Sequence, residues 1–124
     1  GGPPVHYLIA DANGKAVLVE FITGKMVVLS NEKAWHLATN HLIGNGIKGG
    51  GSSGWRYDVL DDLLSTSGGI LNPEDAMGLL KSVSQVFNGT QWSVVYGMST
   101  GDIQVVMARE YENVYTFHLE LSGH

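Results

Sequence analysis

Over its first thirty residues the chain alternates apolar and polar positions in three short runs, VHYLIAD, KAVLVEF and KMVVLS, each rich in β-branched or aromatic side chains. A period of two sends successive side chains to opposite faces of a pleated strand, so the pattern predicts a three-stranded meander. Asn13-Gly14 and Thr23-Gly24 separate the runs. Asn-Gly tolerates positive φ at both positions, which predicts a tight primed turn in the first hairpin. Ala34 to Thr39 reads as a further strand, delivering Asn40 at its end.

After a glycine-rich stretch the period lengthens toward four. Val59, Leu60, Leu63 and Leu64 form one apolar stripe with Ser53 as N-cap, which predicts a helix from Trp55 to Ser65. A second helix opens on Asn72 as cap and Pro73 at the first helical position, with Glu74 and Asp75 complementing the positive end of the dipole. Its stripe runs through Met77, Leu80, Val83 and Phe87, and Asn88-Gly89 supplies a left-handed stop. The remaining runs, WSVVYGM, IQVVMAR and VYTFHLEL, return to strand, with turns at Ser99 to Asp102 and Glu110 to Asn113. Strands, two helices, then strands define an α+β arrangement in a single domain, residues 1–124, with antiparallel strands.

Composition narrows the function classes. The chain has 124 residues, 44% of them hydrophobic, enough for one domain to bury a core without metal or disulfide support. Twelve acidic against seven basic residues give a net charge of −5, scattered along the chain, which argues against nucleic acid because phosphate binding wants a basic face. With no cysteine, thiolate zinc sites and disulfides are excluded. No apolar run reaches the roughly 18 to 20 residues of a membrane span, and the start lacks the regions of a signal peptide, so the chain reads as soluble. The five histidines, His6, His36, His41, His118 and His124, form no helical pair with a nearby acid, and no metal or cofactor is expected.

Gly44, Gly46 and Gly49 spell G-x-G-x-x-G, but the next helix starts well after Gly49 and Asp61 and Asp62 lie inside it, so the context of a dinucleotide cradle is absent. Gly44 to Gly54 reads instead as a mobile loop, anchored only by Ile47. The residues on either side carry the chemistry. Arg56 falls in the first turn of its helix, where the dipole disfavours a cation, which points to an anionic group nearby or to a surface pair with Asp58 or a neighbouring carboxylate. Asn40 either caps a turn or presents its amide to a ligand. Trp35, Trp55 and Trp92 serve the core or line a pocket.

Three segments, HYLIADANGKAVLVEF at His6 to Phe21, ATN at Ala38 to Asn40 with SSGWRYDVLDDLL at Ser52 to Leu64, and WSVVYGMSTGDIQVVMAREYENVYTFHL at Trp92 to Leu119, together resemble the C-terminal half of the linear amide C–N hydrolases. That group includes the acyl-coenzyme A:6-aminopenicillanic acid acyltransferases, penicillin V acylases and choloylglycine hydrolases of the N-terminal-nucleophile superfamily. The resemblance implies a portion of an αββα sandwich and a small-molecule amide or acyl substrate. It implies Asn40 as an oxyanion donor and Arg56 as the residue that orients the nucleophile or substrate; Trp55 and His41, their neighbours in sequence, are expected to bind substrate. It also implies an N-terminal cysteine nucleophile, which this sequence does not hold. The expectation is therefore an enzyme whose nucleophile lies in a missing N-terminal portion, with no turnover by these residues alone. The competing readings are a non-enzymatic small-ligand module and an oligomerisation half that hides an uncovered sheet face by self-association.

Overall fold

A computed structural model describes residues 5–40, 54–87 and 89–122. The chain divides into two compact units, Gly1–Ile70 and Leu71–His124. Each holds one three-stranded antiparallel sheet and one helix, so the α+β class is observed, with both sheets in simple sequence order.

In the first unit β1 (Tyr7–Ala10), β2 (Ala16–Ile22) and β3 (Lys25–Ser30) form the expected meander, in register Tyr7 to Val19 to Val28 and Leu8 to Leu18 to Leu29. The primed turn lies elsewhere than expected. Ile22 pairs with Lys25 across Thr23 and Gly24, both at positive φ (50° and 77°), so this two-residue turn carries the backbone twist that the sequence assigned to Asn13-Gly14. At Asn13-Gly14 only the glycine is left-handed (φ 82°), and Asp11 organises the loop: its Oδ1 accepts from the backbone N–H groups of Asn13 (2.8 Å) and Lys15 (3.0 Å). Its carbonyl accepts from Gly14 N, and its own N–H donates to the Lys15 carbonyl. An Asx-type cap thus replaces the tight turn.

Ala34 to Thr39 is not a strand. Among the described residues its alternation finds no neighbouring strand to pair with; just before it Asn31 Oδ1 accepts from Ala16 N and Asn31 Nδ2 donates to the Lys33 carbonyl, and within it His36 Nε2 donates to the Leu29 carbonyl. Helix α1 (Gly54–Ser67) appears where the stripe placed it and ends at Gly68 and Gly69, both left-handed, with Gly69 N donating to the Leu64 carbonyl. The proposed N-cap Ser53, His41, and the loop glycines Gly44, Gly46 and Gly49 lie outside the described residues.

In the second unit α2 (Pro73–Ser82) starts as read: Asn72 Oδ1 accepts from Asp75 N at 2.7 Å, with Pro73, Glu74 and Asp75 in the first turn. It stops earlier than read. Ser82 Oγ donates to the Leu79 carbonyl and Ser84 Oγ to the Lys81 carbonyl, local bonds that compete with helix continuation, and Val83 leaves helical geometry. Phe87 is consequently exposed rather than part of a buried stripe, and Asn88 lies outside the described residues. The sheet follows as β4 (Trp92–Tyr96), β5 (Asp102–Met107) and β6 (Tyr115–His118).

Burial is thinner than the composition suggested. Among the described residues, the buried apolar side chains are Leu18, Leu64, Met77 and Val106. The reason lies in the sheet faces. Helix α2 packs on β4 and shares a groove with Gln104 and Thr116, which puts it on the face of Ser93 and Val106. The opposite face carries Trp92, Val94, Tyr96, Ile103, Val105, Met107, Tyr115 and Phe117, has no charged residue, and leaves Trp92, Tyr96, Met107, Tyr115 and Phe117 exposed. The first sheet repeats the pattern: Leu18 and Glu20 are fully buried on one face, while Tyr7, Ile9, Phe21, Met26 and Val28 are exposed on the other.

Two backbone positions generate a stability prediction. Thr23 holds a conformation that β-branched residues resist, so Thr23→Asn should raise stability by about 1 kcal/mol. Gly101 (φ 83°) offers no such latitude, since a Cβ there would meet the Leu119 carbonyl oxygen, and Gly101→Ala should cost at least about 2 kcal/mol. Urea midpoints of both variants check the two signs; destabilisation by Thr23→Asn contradicts the strained-turn account.

Candidate functional site

The two residues singled out on either side of the glycine-rich stretch meet. Arg56 Nη2 donates to Asn40 Oδ1 at 2.5 Å, although sixteen positions separate them. Helix α1 supplies Arg56 from its first turn, which has no acidic residue, and the irregular segment after β3 supplies Asn40. The alternative of a surface pair between Arg56 and Asp58 is not formed among the described residues.

The chemistry of the pair follows from what each group can do. A guanidinium has donors and no acceptor, so the carboxamide atom facing it must be the oxygen. With Oδ1 occupied, the Asn40 amide presents its Nδ2 hydrogens away from the arginine. The bond also places a positive charge on the carbonyl end of the amide dipole, which strengthens the N–H groups as donors. Arg56 Nε is buried and has no hydrogen-bond partner, the one such side-chain atom among the described residues. A buried donor left unpaired is costly unless a ligand or another chain segment completes it.

Beside the pair, Asp61 joins α1 to the segment that carries Asn40. Its Oδ1 accepts from Trp35 Nε1 at 3.1 Å and from Lys33 Nζ at 3.2 Å, and Lys33 Nζ lies 5.0 Å from the Trp35 ring centre. Ser30, Glu32, Lys33, Trp35, His36, Leu37, Tyr57 and Asp61 line a cleft of about 220 Å³ there. Burial raises the Tyr57 phenol above its ordinary value, with the Asp61 charge adding to the effect and Lys33 opposing it. Of the tryptophans, Trp35 lines this cleft, whereas Trp55 and Trp92 are exposed. His41, the other expected substrate-binding residue, lies outside the described residues.

The sequence reading missed Glu20, fully buried in the central strand with His6 Nδ1 3.4 Å from its Oε1. Strand parity carried the signal: Glu20 is two residues from Leu18 and so shares its inward face. Among the described residues, no group of three or more histidine or acidic side chains is placed to hold a metal ion, and no helix is long and apolar enough to cross a membrane. No protein-family model matches the chain, no curated protein is detectably similar to it, and no solved structure matches its fold.

A second polar cluster stands on the other sheet. His118 Nδ1 lies 2.9 Å from Asp102 Oδ1, and its Nε2 lies 3.7 Å from Glu120 Oε1. The hydrogen bond from His118, and then that from Thr100, hold the Asp102 carboxyl below the usual carboxylate value. A depressed carboxyl stabilises the fold above its unfolded value, and that contribution fades as pH falls through the folded one. An NMR titration should find Asp102 ionising below the usual range, with His118→Gln moving it back up; an unshifted Asp102 in the wild type would contradict the pairing.

Proposed function

We propose that these residues form part of a hydrolase or acyltransferase acting on linear amide C–N bonds, with Asn40 as the oxyanion donor and Arg56 holding it in place. The observation that supports the reading best is the hydrogen bond from Arg56 to Asn40 Oδ1. Amide cleavage develops negative charge on the former carbonyl oxygen as the nucleophile adds. A neutral N–H group already aimed at that position stabilises the charge without reorganising during the reaction. An asparagine whose oxygen is committed to an arginine is suited to that role, because its remaining polar atom, Nδ2, can only donate. The unpartnered Nε of Arg56 gives the same guanidinium a second direction, toward an acyl substituent or the nucleophile.

The nucleophile comes from outside these 124 residues, which hold no cysteine. The sandwich architecture belongs to the same proposal. Each unit has one helix and one antiparallel sheet with an uncharged apolar face, the kinds of parts a layered sandwich uses. The resemblance in sequence order to the amide hydrolases supplies the reaction class, and the Asn40–Arg56 geometry supplies a chemical reason for it.

In the complete enzyme, Asn40→Ala should lower kcat by roughly 10² to 10³ with KM little changed, the usual effect of losing one oxyanion donor. Arg56→Lys should also impair turnover, because an ammonium keeps the charge but loses the planar fork. Full activity in Asn40→Ala would remove the oxyanion assignment. Turnover of an N-acyl amide by the cysteine-free chain alone would overturn the covalent mechanism.

The uncovered faces favour one further property of the isolated chain. Sheets exposing this much contiguous apolar surface associate, so light scattering should detect oligomers at micromolar concentration. The double variant Tyr96→Lys with Phe117→Lys should shift them toward monomer, and a clean wild-type monomer would refute this expectation.

A further inference from the structure

We propose that Asp61 is the positioning residue of the candidate site: by clamping Trp35 and Lys33 to α1, it sets where Asn40 stands against Arg56. The proposal rests on the oxyanion reading of Asn40 for its functional meaning, and on independent geometry for the clamp itself.

After Asn31, whose N–H donates to the Ala16 carbonyl, the segment to Asn40 is not strand, and side-chain attachments contribute to its path. Asn31 and His36 tie it to the sheet through Ala16 N and the Leu29 carbonyl. Neither bond reaches the helix that carries Arg56. Asp61 does, accepting from both Trp35 Nε1 and Lys33 Nζ on one carboxylate oxygen. The far end of α1 is shaped for the same approach. A Cβ on Gly69 would stand 3.0 Å from Trp35 Cε3 and 3.2 Å from Ala34 Cβ, so a glycine there lets the segment close on the helix end. The Trp35 ring is thereby held at its edge by Asp61, beside Lys33 Nζ, and against Gly69.

Length shows why the clamp matters. Five residues on a helix rise about 7.5 Å, the axial separation of Arg56 and Asp61. Five residues of extended chain from Trp35 to Asn40 can reach about 17 Å. Chain connectivity therefore allows Asn40 to lie farther along the helix than this axial separation, and does not by itself fix it against Arg56. Attachment at Asp61 runs the segment alongside α1, and the Arg56 bond closes the second point. A two-point attachment of this kind converts a loose encounter into a local one, in the way a short tether raises effective concentration.

The test uses NMR on the 124-residue chain together with kinetics of the complete enzyme. In the wild type, the Arg56 guanidinium and Asn40 side-chain amide should report the hydrogen bond through shifted, slowly exchanging signals. Asp61→Ala should return both signals toward free values, while amide exchange in β2 and β5 shows that the sheets persist. Asp61→Asn, which keeps an acceptor for Trp35 Nε1, should restore most of the pattern. Trp35→Phe keeps the ring and loses the donor, and should weaken the pattern even if Asp61→Ala fails to fold. In the complete enzyme Asp61→Ala should lower kcat about tenfold to a hundredfold with KM little changed, the scale expected for a misplaced group. It should cost much less when Asn40 is already alanine, because residues acting through one another are non-additive.

Unchanged Arg56 and Asn40 signals in both Asp61→Ala and Trp35→Phe would overturn the clamp, whatever the activity. Additive kinetic losses in the double variant would overturn the route through Asn40. Signals that collapse as expected, with turnover insensitive to Asn40→Ala, would leave the clamp standing and remove the oxyanion reading instead.

Discussion

A three-stranded antiparallel sheet has two faces, and each becomes interior only where something lies against it. This constraint governs both units of the chain. Where cover exists, the sheets bury Leu18 and Glu20 in one case and Ser93 and Val106 in the other. Where it does not, aromatic and aliphatic side chains remain at the surface in register across all three strands. The limited number of fully buried residues therefore reflects the supply of cover, since 44% of the sequence is hydrophobic.

The candidate site depends on a different asymmetry, that arginine donates and cannot accept. Because of it, one hydrogen bond decides which end of the Asn40 amide is available for chemistry. The site is assembled from a helix start and an irregular segment, the kinds of structure where backbone regularity gives least control. Control passes to side chains: Arg56 on Asn40, Asp61 on Trp35 and Lys33, His36 on Leu29. One helix thus provides both a cation and a carboxylate for the segment beside it.

Much of this was legible from residue order. Period-two runs located all six strands and the Asn72-Pro73 start located α2, whereas the placement of Arg56 in a first turn called for an anionic group and its described partner is the neutral Asn40 amide oxygen. What escaped the sequence depended on partners outside the local window. Ala34 to Thr39 alternates like a strand, yet β3 is not its neighbour in a ladder and side chains tether it instead. The serines after Leu80 end α2 through bonds that a hydrophobic stripe cannot reveal. Asp61 looks in sequence like any exposed helix acid, and only the fold brings Trp35 and Lys33 to it.

The Thr23-Gly24 turn sets the alignment of its hairpin as well as reversing the chain. A two-residue loop fixes which residue of β2 faces which residue of β3, and sliding one strand by a single position would turn its side chains to the opposite face. For β2 that slip would exchange Leu18 and Glu20 for Val17, Val19 and Phe21, moving a carboxylate out of the interior and three apolar groups into it. A looser turn could accommodate both alignments, with hydrophobic burial alone favouring the wrong one. The two-residue loop thus acts as a register pin, and its shortness helps keep the buried glutamate in place.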